Sequence, residues 1–259
     1  MLHSVRLAFF ITVFMLLATN GWAQSSTLPR TQATNTTAWL MLFSDTRLNN
    51  RWGWHAEAQW RQAKGVDATG QNILRVGVNY HVSPALQLTG GYAYALPFPT
   101  GDNLSTVRMP EHRTYQQVQL TDSQERLHVQ HRYRLEQRWV RFGPQQSFTY
   151  LNRVRYQLRL AMPLFAPRIK PGVSYLVAAD ELFIGFGANA GRTIFDQNRA
   201  YAALGYQATK SLAVEVGYLN QLVQKRAATT TKTTHALQLG FAYSPDFRPI
   251  PTIAAAATQ

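Results

Sequence analysis

The chain reads as all-β: an antiparallel transmembrane up-and-down β-barrel of about twelve strands, with ten as the alternative. Three observations carry this. They are long stretches of strict two-residue alternation, a face dense in arginine opposite an apolar one, and an export-type N-terminus with no helical span after it. The clearest alternation lies in residues 125–163. In its first run Leu127, Val129, His131, Tyr133, Leu135, Gln137 and Trp139 share one face, and His128, Gln130, Arg132, Arg134, Glu136 and Arg138 share the other. In its second run Tyr150, Val154, Tyr156, Leu158, Leu160 and Met162 oppose Arg153, Arg155, Gln157 and Arg159. A period of two belongs to strands. Each run covers about fifteen residues, against roughly five or six for a strand in a globular sheet. A sandwich would bury the apolar face and expose the arginines. A membrane barrel sets apolar side chains against lipid and polar ones around a wet lumen.

The 259 residues include no cysteine, which excludes a disulfide framework, a thiolate metal site, a cysteine nucleophile and a lipid-anchored N-terminal cysteine. Aromatics are frequent, with 6 Trp, 12 Tyr and 13 Phe, and many fall near strand ends, where interface girdles sit. A mean hydropathy of −0.23 argues against helical spans, whereas a barrel hides its apolar residues in every second position. The net charge of +13 would point to nucleic acid in a cytosolic protein. Behind an export signal it points instead to a cationic lumen or to anionic lipid headgroups, and no nucleic-acid partner is expected.

Residues 1–23 have the layout of a secretory signal peptide. His3 and Arg6 precede the apolar stretch Leu7–Leu17, and Gly21-Trp22-Ala23 supplies small residues at the cleavage site. The apolar stretch is too short for a spanning helix. Residues 24–36 form a polar N-terminal arm, 37–244 the barrel, and 245–259 a tail that is atypical for a barrel. Strand-like stretches follow in order: Thr37–Asp45, Arg51–Arg61, Gln71–Val82, Leu86–Leu96, His112–Thr121, the two long runs, Gly172–Gly187, Asn198–Gln207, Leu212–Leu222 and Thr233–Tyr243. Val82–Ala85, Thr121–Gln124 and Ala208–Ser211 carry turn chemistry. Longer connections alternate with them, the longest being Pro97–Pro110. The stretches number eleven, and bacterial single-chain barrels are normally even. A turn at Asp180-Glu181 would divide Gly172–Gly187 and restore an even number.

Arg132–Trp139 (RYRLEQRW), Arg153–Leu160 (RVRYQLRL), Asp180–Phe183 (DELF) and Phe195–Gln207 (FDQNRAYAALGYQ), in that order, resemble the domain-of-unknown-function 2490 family of small exported bacterial proteins. The resemblance runs from Trp39 to Tyr243. It implies an outer-membrane barrel-like fold and supplies no catalytic residue. The tail past Tyr243 departs from it.

Paired as a hairpin, the two long runs put Arg132, Arg134, Arg138, Arg153, Arg155 and Arg159 on one face. Like charges directly opposite each other destabilise a sheet unless water or counter-charges intervene. Glu136 is the internal partner, and Glu57, Asp180, Glu181 and Glu215 are candidates from across the lumen. Two readings stay open: an anion-attracting pore lining, or a neutralised network that fills a narrow barrel. A lipid-hydrolase site is disfavoured, because His131 has no serine in its strand and Ser147 is the nearest one, in the next connection. His55, His81 and His128 lack ligand spacing, so no metal is expected. Gly185, Gly187 and Gly191 precede no helix and make no phosphate loop. Trp52, Trp54 and Trp60 read as girdle residues rather than a sugar platform.

The sequence thus points to an outer-membrane barrel that is no enzyme and carries no cofactor. Its partners would be lipid and small anionic solutes, and its role that of a narrow arginine-lined channel. The alternative is a non-conducting structural or surface-binding barrel, and a lipid-modifying enzyme ranks third. Exposed loop tips tolerate insertion. An epitope inserted at Asn103 is therefore expected to be labelled on intact cells. Labelling that appears only after the outer membrane is opened would invert this topology.

Overall fold

The computed structural model describes residues 31–63, 68–97, 110–143, 145–190, 194–224 and 230–248. The stretch read as a signal peptide, most of the N-terminal arm, the interior of the Pro97–Pro110 loop and the end of the tail lie outside them. Eleven strands form one closed barrel: β1 (Thr31–Arg47), β2 (Trp52–Ala63), β3 (Ala68–His81), β4 (Leu86–Pro97), β5 (Glu111–Gln124), β6 (Leu127–Val140), β7 (Thr149–Pro163), β8 (Val173–Phe186), β9 (Phe195–Gln207), β10 (Leu212–Gln224) and β11 (Thr230–Tyr243). Each pairs antiparallel with its sequence neighbours, and β1 closes on β11. β1 begins at Thr31, inside the stretch read as the arm.

The barrel has eleven strands, not twelve or ten, because Asp180-Glu181 makes no turn. Both residues lie in the middle of β8, in register with Leu158 and Gln157 of β7. An odd up-and-down count leaves the first and last strands running the same way, so the closing seam is parallel. The bridge between Arg47 and Asp246 has that parallel sense. There the Arg47 N–H donates to the Pro245 carbonyl at 3.0 Å, and the Phe247 N–H donates to the Arg47 carbonyl at 2.9 Å. The start of the tail is therefore a latch along the end of β1. In it Arg248 donates to both carboxylate oxygens of Asp246, holding that carboxyl at about 2.

One end of the barrel carries the turns after β1, β3, β5 and β9, and is called the lower end below. The turn after β5 sits at Glu125-Arg126, later than Thr121–Gln124, because β5 continues through Gln124; Glu125 takes a positive φ of 53° to make it. The longest lower connection follows β7 and packs Ile169 against Tyr175, Val177 and Ala213.

Alternation sorts the two faces. Leu74, Val76, Val78, Leu135, Val154, Val216 and Leu237 point outward. Outward aromatics stand at both ends of this band, Trp52, Tyr206 and Tyr243 toward the lower and Trp60 and Trp139 toward the upper, while Trp54, Tyr92 and Tyr218 lie level with it, in register with Val78, Val76 and Leu237. The inside is divided. Trp39, Met41, Leu219 and Ala236 form an apolar sector, while β2, β3 and β5–β10 contribute the charges of the network.

Large inward rings need small neighbours. Tyr115 lies over β3 and β4, where a Cβ added at Gly91 would stand 2.3 Å from the Val76 carbonyl and 2.5 Å from the Tyr115 hydroxyl. Gly90, one residue earlier, faces outward with nothing within 4 Å. Overpacking typically costs about 1–3 kcal/mol. Gly91→Ala is expected to lower the thermal midpoint, read by heat-modifiable gel migration, while Gly90→Ala leaves it near wild type. Equal effects from the two would contradict this packing.

Candidate functional site

Strand register brings the arginine face together and also sets like charges opposite one another. Arg134 pairs with Arg155 across β6 and β7, and Arg113 with Arg138 across β5 and β6. Arg134, Arg138 and Arg155 turn to acceptors on other strands, and Arg113 turns to Glu111 on its own. Arg134 donates to Gln117 Oε1 on β5 at 2.9 and 2.5 Å. Arg155 donates to Glu181 on β8 at 3.0 and 2.6 Å and to Glu136 on β6 at 2.7 Å. Glu136 also accepts from Arg153 at 2.9 and 2.6 Å. One carboxylate thus holds two guanidiniums at mid-barrel, and its side chain is almost wholly buried.

The other candidates read from the sequence join the same lining. Arg132 pairs with Glu181 at 2.8 Å. Arg159 pairs with Glu215, which also accepts from the Tyr175 hydroxyl at 3.0 Å. Arg138 pairs with Glu111, and Glu57 with Arg75, its direct register partner on β3. Asp180 is the exception: it falls on the opposite parity from Glu181 and accepts from Asn198 at 3.0 and 3.1 Å.

Several members escape a reading confined to the long hairpin. Glu111 holds Arg113 through two hydrogen bonds of 2.7 and 2.8 Å. Asp196 reaches Arg153 at 3.0 Å because the β8–β9 register skips it: Phe183 pairs with Gln197 and Ile184 with Phe195. Such a bulge re-aims a side chain that strict alternation would send outward. Arg61, Arg75, Arg113 and Arg199 all lie at inward parity, which was the available signal. Phe183 is buried among the guanidiniums of Arg153, Arg155 and Arg199, which stand 5.2, 4.5 and 4.8 Å from its ring centroid. Arginine over an aromatic face is attracted by the ring quadrupole.

Among the described residues, one inner cavity of about 270 Å³ lies toward the lower end and one of about 160 Å³ toward the upper, with a smaller one of about 40 Å³ beside Arg138 and Asp196. Gln59, Arg75, Arg155, Glu181 and Arg199 stand at or near the layer between the two larger ones, and all but Glu181 line both. The histidines do not converge. His55 meets Asp45 at 2.9 Å, His81 meets Arg47 at 3.0 Å, and His128 meets Ser123 at 2.9 Å. His131 faces the Tyr156 hydroxyl at 2.9 Å. Among the described residues no group of three or more His, Asp or Glu is arranged to hold a metal ion.

Removing one partner of a buried ion pair costs roughly 3–5 kcal/mol. Glu136→Gln strips the charge that Arg153 and Arg155 share and is expected to lower the thermal midpoint strongly. Glu215→Gln, in a more exposed pair, is expected to do less. A Glu136→Gln barrel as stable as wild type would show that the network is not held by these charges.

Comparison with known proteins yields matches of matching kind. An uncharacterised protein of Methylorubrum extorquens is 37% identical over 179 residues, covering 67% of this chain and 72% of the relative. No solved structure matches. A family model described as "Protein of unknown function (DUF2490)" matches residues 36–232, across β1 to β11, and the chain belongs to that family.

Proposed function

We propose that this protein is an outer-membrane β-barrel whose lumen is closed at mid-height by its own arginine–carboxylate network. It serves as a non-conducting structural or binding barrel rather than as an open pore. The observation that carries this is the burial of Arg134, Glu136, Tyr115 and Phe183 inside the ring of strands. A polar residue that lines open water would be exposed; these are among the most enclosed side chains of the protein. The membrane part of the reading rests on the outward apolar band, its flanking aromatics and the signal-type N-terminus.

A narrow anion channel is the second reading. Its support is the thin partition, since Gln59, Arg75, Arg155 and Arg199 border both cavities and their rearrangement would join them. No enzymatic activity is proposed.

The test is reconstitution. Purified barrel is expected to float with liposomes and to resist carbonate extraction; recovery as a folded soluble protein would defeat the membrane assignment. In planar bilayers the wild type is expected to stay silent in a salt gradient. Step conductance with an anion-selective reversal potential would replace the closed-lumen reading with the channel. In that case Arg134→Gln, Arg153→Gln and Arg155→Gln together should reduce the selectivity.

A further inference from the structure

The carboxylates of the network are unevenly shared. Arg75, Arg113, Arg132, Arg138, Arg153, Arg155 and Arg159 each have a close carboxylate. Arg61 does not. Among the described residues it donates to two neutral amides, Gln71 Oε1 at 3.2 Å and Gln59 Oε1, and its buried Nε has no partner. Arg199 also lacks a close carboxylate: it donates to the amide oxygens of Gln221, at 3.0 Å, and of Gln197, with its amide turned to satisfy its neighbours, and its one carboxylate contact, Glu181, stands at 3.8 Å. Both guanidiniums approach the same ring, 4.2 and 5.4 Å from the Trp39 centroid. Both line the upper cavity. The one carboxylate lining that cavity, Glu111, is already shared by Arg113 and Arg138.

We propose that the upper cavity is a binding site for a free tetrahedral oxyanion, phosphate or sulfate, held between Arg61 and Arg199. Burying a cation without a counter-charge is costly, and an anion that enters the cavity supplies what the protein leaves out. The guanidinium fork matches oxyanions through paired hydrogen bonds, which chloride cannot accept in the same way. About 160 Å³ corresponds to roughly five water volumes, enough for one such ion and part of its hydration. The cavity lies inside the ring of strands, so the ligand is a free ion and not a headgroup anchored in the bilayer. The site is independent of whether the lumen conducts.

The experiment is a thermal-midpoint and calorimetric titration of the intact barrel in detergent, with inorganic phosphate, sulfate and chloride, at low ionic strength. A ligand that binds only the folded state raises the midpoint with its concentration. Phosphate and sulfate are expected to raise it saturably in the wild type, and chloride at the same ionic strength is not. Arg61→Gln and Arg199→Gln should each weaken phosphate binding by roughly tenfold or more. Arg159→Gln, whose arginine pairs with Glu215 near the lower end, should bind phosphate as the wild type does. Without phosphate, Arg61→Gln should be at least as stable as wild type, because the charge it removes has no carboxylate. A wild type indifferent to phosphate would overturn the proposal. So would unchanged affinity in Arg61→Gln, or an Arg61→Gln barrel that fails to fold in phosphate-free buffer.

Discussion

Neutralising guanidinium groups inside a narrow barrel is the constraint on which the rest of the structure depends. Two-residue alternation places every charge of β6 and β7 on one face, and the register then sets Arg134 against Arg155. In a flat sheet that juxtaposition would be repulsive. The curled sheet brings Gln117, Glu181, Glu215 and Asp196 to the same interior, and Arg134, Arg132, Arg159 and Arg153 find partners there on other strands, while Arg113 pairs with Glu111 on its own. Pairs such as Glu57–Arg75 and Glu136–Arg153 form between neighbouring strands, and closure adds the longer-range ones such as Arg159–Glu215 and Arg132–Glu181.

The closure has an unusual seam. Eleven strands force β1 and β11 to run parallel, and a parallel ladder is slightly less stable per residue than an antiparallel one. The segment from Ser244 to Arg248 compensates by running on beside β1, with hydrogen bonds through Arg47 and a further one from the Asp45 N–H to Ser244. Inside, the same region is lined by Trp39, Met41, Leu219 and Ala236. The lumen is lined by apolar packing beside the seam and by ion pairs along the opposite wall.

The arrangement also explains why a strongly basic chain can fill its own lumen. Most inward arginines are matched by a carboxylate, and those that are not turn to glutamine amides and aromatic faces. Arg134 lies 4.8 Å from the Tyr115 centroid and Arg61 lies 4.2 Å from that of Trp39. These contacts soften burial without cancelling the charge. The excess positive charge is thereby concentrated at a few positions instead of being spread along the lumen.

Much of this was legible in residue order. The two-residue period located all eleven strands and assigned Leu135 outward and Glu136 inward, because a strand's geometry sends neighbours to opposite faces whatever the surroundings. The even-number expectation failed at Asp180-Glu181, where a turn-like pair is held straight by Glu181 reaching Arg132 and Arg155. Asp196 was hidden for the opposite reason: only a bulge, which depends on the register of β8 against β9, turns it toward Arg153. Glu136 was legible as a partner within the hairpin, but the other pairings were not, since partners such as Arg159 and Glu215 lie on strands well separated in the chain. Alternation is a local property, so the sequence by itself determined strands, faces and the barrel they imply. Pairing, the parallel seam and the isolation of Arg61 from any carboxylate depend on how the strands curl and align, and only the tertiary structure decided them.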